Sequence, residues 1–247
     1  SLYLYFDFSG YTDMAIGLAK TFGIEILPNF NKPFLAHNVT TFWKRFHMSL
    51  SSWFNDYIFR QLSFKYRKWG ISASVFAMFI TWTLFGIWHG AGWNFMFLGI
   101  LQAIVLIYEF FTKAWRTKIG NSLPGFLNIW AGRLFTYLFY GISLVFFFSG
   151  NISSVSVFFS NLFESDKASL LLNPGQILAL VISLGFGLIF IFLEVIQSDF
   201  RKVDVSIMNF WNGFDRKHKF FRWTIYFLVI VVIFFSAAEG KAEFVYF

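Results

Sequence analysis

Between residues 39 and 57 the apolar side chains Val39, Phe42, Trp43, Phe46, Leu50, Trp53, Phe54 and Tyr57 recur at helical spacing. Side chains three or four positions apart share one face of an α-helix, so these form a single stripe. The opposite side carries Thr41, Lys44, Arg45, Ser51, Ser52, Asn55 and Asp56, which is too polar for lipid. The pattern predicts one continuous amphipathic helix, lying at a membrane interface or packed inside protein, with Asn38 as its N-cap. Elsewhere the polar side disappears. Ile71–Trp88 and Phe95–Phe111 are apolar nearly throughout and approach the ~20 residues that cross a hydrocarbon core. Leu134–Phe148, Ile177–Ile196 and Trp223–Ala237 predict three further spans.

The first stretch, Leu2–Phe22, is apolar but carries Asp7, Ser9, Gly10, Thr12, Asp13 and Gly17. It predicts a broken helix, with Ser9 or Thr12 capping a short piece over 13–22 and the irregular backbone buried in protein or lining a cavity. Pro28 and Pro33 bracket a turn, PNFNKP. The chain thus divides into broken and amphipathic helices over 1–70, a helix pair over 71–112, and three spans over 134–237. The fold class is an all-α polytopic membrane protein with re-entrant and interfacial helices, forming a single embedded domain.

Composition agrees with that division. A chain of 247 residues with 57% hydrophobic and 13% charged side chains has too little polar surface to cover a water-soluble globule. The net charge of +7 is no nucleic-acid signal, because the cations cluster in the connections 60–68, 113–133 and 201–222, between apolar runs. By the positive-inside rule those connections face the cytoplasm. The stretch 151–175, with Lys167 against Glu164 and Asp166, then faces outward, as does the C-terminus. The chain has no cysteine, hence no disulfide and no thiol nucleophile, and it opens on Ser1-Leu2-Tyr3 without methionine, which suggests a C-terminal piece of a longer protein.

Candidate chemistry centres on His89, the ionisable residue that closes the apolar run TWTLFGIWHGAGWNF. Ionisable groups are costly in a membrane and usually functional there. A neutral imidazole can act as a general base; alternatively its nitrogens serve only to satisfy backbone carbonyls. Glycines 86, 90 and 92 leave space for a long, thin substrate to approach. His47 falls at the edge of the amphipathic stripe, facing a protein-lined cavity or simply an interface. Asp7 and Asp13 are either functional carboxylates or local caps. Trp82, Trp88 and Trp93 are interface anchors or acyl-channel lining. No HExxH motif, glycine-rich phosphate loop or GxSxG elbow occurs, so neither a metal nor a bound cofactor is expected.

The blocks YFDFSGYTDMAIGLAKTFGI, PNFNKPFLAHNVTTFWKRFHMSLSSWFNDYIF and TLFGIWHGAGWNF, with the terminal EGKAEFVYF, resemble the membrane-bound O-acyltransferase (MBOAT) family. Within it they are most similar to bacterial polysaccharide O-acetyltransferases of the alginate O-acetylase type. The resemblance implies that His89 is catalytic, acting on an acceptor hydroxyl as it attacks an acyl thioester, and that His47 is a second catalytic histidine beside the same tunnel. Asp7, Asp13, Trp43, Arg45, Asp56, Trp88 and Asn94 become candidate substrate-binding or supporting residues. The resemblance further implies acetyl-CoA or an acyl carrier as donor, a polysaccharide acceptor, a periplasmic acetyltransferase partner, and a place in the bacterial inner membrane. It also implies further helices before Ser1. D-alanyl transfer to teichoic acid, or a non-catalytic acyl or polymer conduit, are the alternatives.

Overall fold

The computed structural model describes residues 2–163, with single positions at 185, 187, 189, 224 and 227. The spans expected over 177–196 and 223–237 lie outside the described residues, as does the C-terminal block. Residues 1–191 form one compact unit, to which all the geometry below belongs. Its described elements are helices: α1 (Leu2–Thr21), α2 (Val39–Trp43), α3 (Met48–Phe54), α4 (Arg60–Lys65), α5 (Ile71–Trp88), α6 (Trp93–Ser122), α7 (Gly125–Phe148) and α8 (Ile152–Phe163). A wide π turn, Asn55–Phe59, joins α3 to α4.

Helices α5, α6 and α7 are long and apolar enough to cross a membrane, with mean hydropathies of 1.7, 1.9 and 1.5. Their outward sides keep Phe79, Leu84, Ile104, Leu134 and Leu138 exposed, as lipid-facing surfaces do. This is a multi-pass membrane protein. The α5 span has the bounds its pattern predicts; α6 and α7 extend beyond the apolar runs Phe95–Phe111 and Leu134–Phe148, because helix continues through the polar residues up to Ser122 and from Gly125. The stretch after 151, expected as a polar connection, opens instead with the apolar helix α8.

Two glycines set how closely α5 and α6 pack. A Cβ on Gly86 would lie 2.7 Å from the Gly99 nitrogen and 2.8 Å from its Cα, and one on Gly99 would lie 3.0 Å from the Thr83 Cα. Backbone meets backbone at this crossing, the close approach that small residues permit between membrane helices.

Polar ties inside the bundle then fix α2 and α7 to α6. The Glu109 carboxylate, 3% exposed, accepts from the Val39 and Thr40 amides at 2.8 Å each and from the Thr40 hydroxyl at 2.6 Å. The Trp43 indole donates to Gln102 Oε1 at 3.0 Å, and the Gln102 amide donates to Ser143 Oγ at 2.8 Å. Val39, Leu106 and Phe139 form the apolar core where the three helices meet.

Two sequence expectations are overturned here. The first helix is unbroken from Leu2 to Thr21. Thr12 donates its hydroxyl to the Phe8 carbonyl at 2.9 Å and Ser9 to the Phe6 carbonyl, so both serve the preceding turn rather than capping a new helix. The break falls instead in the stripe over 39–57. Asn38 caps α2 as expected, its Oδ1 accepting from the Thr41 amide at 2.7 Å, but α2 ends at Trp43 and helix resumes only at Met48. The PNFNKP turn causes this. The Arg45 carbonyl accepts from the Asn31 amide at 2.9 Å and the Met48 amide donates to the Asn29 carbonyl at 2.9 Å, diverting both groups from the helical ladder.

Candidate active site

The break delivers His47. Its backbone is left-handed, with φ 49° and ψ 53°, at the residue that caps α3. Only a few per cent of non-glycine residues adopt that conformation, and it turns the side chain away from the direction a continuous helix would give it. The imidazole packs edge-on against Phe8 of α1, ring centroids 4.7 Å apart, and faces Trp88 at 6.4 Å.

His89 arrives from the other side. Helix α5 ends at Trp88, and the His89 amide still bonds the Gly86 carbonyl at 3.0 Å, so the imidazole stands on a rigid helix end. It is ringed by Trp88 at 4.8 Å, Phe147 at 5.2 Å, Phe85 at 5.3 Å and Phe95 at 6.5 Å. Trp88 therefore touches both histidines, which were 42 residues apart in sequence. Burial pushes both imidazoles down to about 4, and for His47 the charge of a protonated His89 adds to the effect. Neither lies within a membrane-spanning helix. His47 Nδ1 is buried without a hydrogen-bond partner. At neutral pH the pair is thus uncharged, with lone pairs able to take a proton from a hydroxyl.

An open cavity of about 910 Å³ is lined by Met48, which follows His47, and by Phe85, one turn before His89. Exposed Lys44, Arg60 and Lys113, with Arg116, give it a basic mouth, while Trp43, Trp82 and buried Phe85 form an aromatic inner wall. Such a site suits a ligand with an anionic head and a thin apolar end.

Comparison with known proteins places this geometry. Residues 1–151 match the membrane-bound O-acyltransferase family, MBOAT. The chain belongs to that family. The matched stretch of this MBOAT chain contains both histidines, Trp88 and the whole cavity. Over 124 residues it is 41% identical to a teichoic acid D-alanyltransferase of Bacillus subtilis, covering 48% of this chain and 31% of that protein. Over 129 residues it is 39% identical to a probable alginate O-acetylase of Pseudomonas aeruginosa, covering 51% and 22%. A peptidoglycan O-acetyltransferase of Helicobacter pylori is 36% identical over 156 residues, covering 62% and 28%. The chain spans less than a third of the length of these relatives.

The other candidate residues of the MBOAT chain fall into distinct places. Trp88 and Trp43 stand at the histidines and at the cavity wall. Asn94, 1% exposed, donates to the Phe146 and Ser149 carbonyls at 3.1 and 2.9 Å, so it fixes the end of α7 that presents Phe147 to His89. Arg45 donates to the Lys32 carbonyl at 3.3 Å and holds the turn behind His47. Asp56 is exposed and pairs locally, with Arg60 at 3.2 Å and the Asn55 amide at 2.9 Å; it does not reach the histidines. Asp7 and Asp13 lie on exposed positions of α1, although Asp7 directly precedes the Phe8 that supports His47. Among the described residues no three His, Asp or Glu side chains converge as metal ligands would.

The glycines around His89 do not leave a substrate path. Gly86 faces α6 backbone, Gly90 is covered by the Phe95 ring at 2.5 Å from an added Cβ, and Gly92 by the Asn94 side chain. Trp93 is exposed, whereas Trp82 lines the cavity. Sequence reasoning missed Glu109 and Gln102. Glu109 carries a signal that would have found it, as a lone carboxylate inside the apolar run 95–111.

Proposed function

We propose that this chain carries the reaction centre of an acyltransferase that moves an acyl group, acetyl in the first reading, from a thioester to an acceptor hydroxyl on the way toward hydroxyls of an extracytoplasmic polysaccharide. The observation that carries the proposal is the pair of uncharged imidazoles meeting at Trp88, above a cavity with a basic mouth, in a chain of the MBOAT family. His89 takes the proton of the acceptor hydroxyl as its oxygen attacks the thioester carbonyl. The C–S bond then breaks, and the departing thiolate takes up the proton, so the imidazole ends neutral. His47, held in its left-handed turn, orients a reactant or supports His89. Donor phosphates meet Lys44, Lys113 and Arg116 at the mouth, which fits acetyl-CoA or a phosphopantetheine-bearing carrier.

The bacterial cytoplasmic membrane, with the basic mouth inside and the His89 end toward the outer face, completes this reading. A periplasmic acetyltransferase that finishes the relay is the expected partner. The relative from Bacillus subtilis, named a teichoic acid D-alanyltransferase, supports a second reading in which the group is D-alanyl. Replacing His89 by alanine in the full-length protein should lower ester formation about 10²–10⁴-fold with insertion unchanged. Ester formation at the parent rate would remove His89 from the chemistry. Mass analysis of the polymer separates acetyl from D-alanyl esters.

A further inference from the structure

The inner wall of the cavity is a cluster of aromatic rings, in which Phe54 also packs on Phe85 at 5.3 Å. Trp43 and Trp82 lie 5.0 Å apart, Trp43 and Phe85 5.1 Å, and Trp82 and Phe85 5.0 Å, all three lining the cavity. Neither histidine lines it. Among the described residues Phe85 alone both lines the cavity and makes ring contact with His89, at 5.3 Å. Phe85 and His89 stand one helical turn apart on α5 with their rings edge-to-face, so Phe85 joins the cavity wall to the imidazole. The Trp43 ring is pinned through its indole to Gln102 and onward to Ser143. Phe85 has no polar atom to anchor it, and rotation about its side-chain bonds is opposed only by packing.

We propose that Phe85 is the partition through which the acyl group must pass from the cavity to His89, and that it selects against acyl groups bulkier than the natural one while holding back water. The acyl end of a thioester leads the thin arm behind it, so the width of the passage acts on the acyl group first. The inference rests on the acyl-transfer reading above for its substrate, but not for the partition itself. A hydrophobic site discriminates by about 10–200-fold per methylene, which sets the scale expected of one ring.

Two measurements on the full-length protein test it. In membranes, the ratio of kcat/KM for butyryl over acetyl thioester should rise at least tenfold in Phe85→Ala, with a smaller rise in Phe85→Leu, which preserves apolar packing should the alanine variant fail to fold. The second measurement needs no activity and uses a background in which any cysteine outside this cysteine-free chain is replaced by serine. In sealed vesicles, an anionic methanethiosulfonate is added on the face from which Lys113→Cys is labelled. It should modify His89→Cys at least tenfold faster when Phe85 is alanine or leucine. Equal labelling rates with an unchanged butyryl ratio overturn the partition and leave the acyl-transfer reading intact. Absence of transfer from any thioester in the parent protein overturns that reading, and the labelling rates still decide the role of Phe85.

Discussion

Trp88 holds an unusual position for an aromatic residue at a helix end, since its indole is the surface on which two imidazoles converge. Both histidines pay for this place by desolvation and stay neutral until about pH 4. The unfolded chain protonates them near 6.5, so between 6.5 and 4 it binds more protons than the folded chain. Stability contributed by the neutral rings is complete above pH 6.5 and is lost as pH falls through that window, by at most about 3 kcal/mol per histidine. Thermal unfolding followed from pH 7.5 to 4 should show a steeper loss for the parent protein than for His47→Gln. The transfer rate should likewise persist well below pH 6.5 before falling, as measured by ester formation against pH, because the folded base is still unprotonated there.

At the scale of elements, two contacts decide whether the site assembles. Gly86→Ala would drive a methyl group into the Gly99 backbone, which cannot rotate away; it should cost about 1–3 kcal/mol or more and separate α5 from α6, read as a lower melting temperature in detergent. Glu109→Ala would leave two amides and a hydroxyl of α2 without their acceptor; the buried Val39 amide alone should cost about 1–3 kcal/mol, the part-buried Thr40 groups less, and the change should release the His47 turn to proteolysis. The α5 span is legible in its sequence because uniform apolarity over a membrane thickness admits one solution. The break at 44–47 is not. The apolar stripe runs through it without a gap, and what interrupts the helix is a pair of backbone bonds from Asn29 and Asn31, distant in sequence and invisible to periodicity. The opposite error at Ser9 and Thr12 has the same root, since a hydroxyl can cap the next turn or bond the previous one, and pattern alone does not choose. Both histidines are named by their chemistry; their convergence on Trp88 requires the turn.

At the scale of the whole molecule, the α5–α6 hairpin offers two exposed markers for the proposed orientation, one beyond His89 and one at the Lys113 part of the basic mouth. Lys113 lies past the middle of α6, while Ala91 sits in the exposed connection after His89. In sealed vesicles Lys113→Cys and Ala91→Cys should be modified by an impermeant thiol reagent from opposite faces; modification of both from one face would undo the orientation. The clamp at Glu109 also has a bearing on biosynthesis. Its carboxylate binds amides made 69 and 70 residues earlier, so α2 leaves the ribosome well before its acceptor exists. At roughly 5–20 residues per second the interval is several seconds. Until then the α2 amides and the Thr40 hydroxyl have no Glu109 carboxylate to donate to. The tie that holds α2, and the histidine turn after it, to α6 is therefore among the last contacts within residues 1–109 that can form.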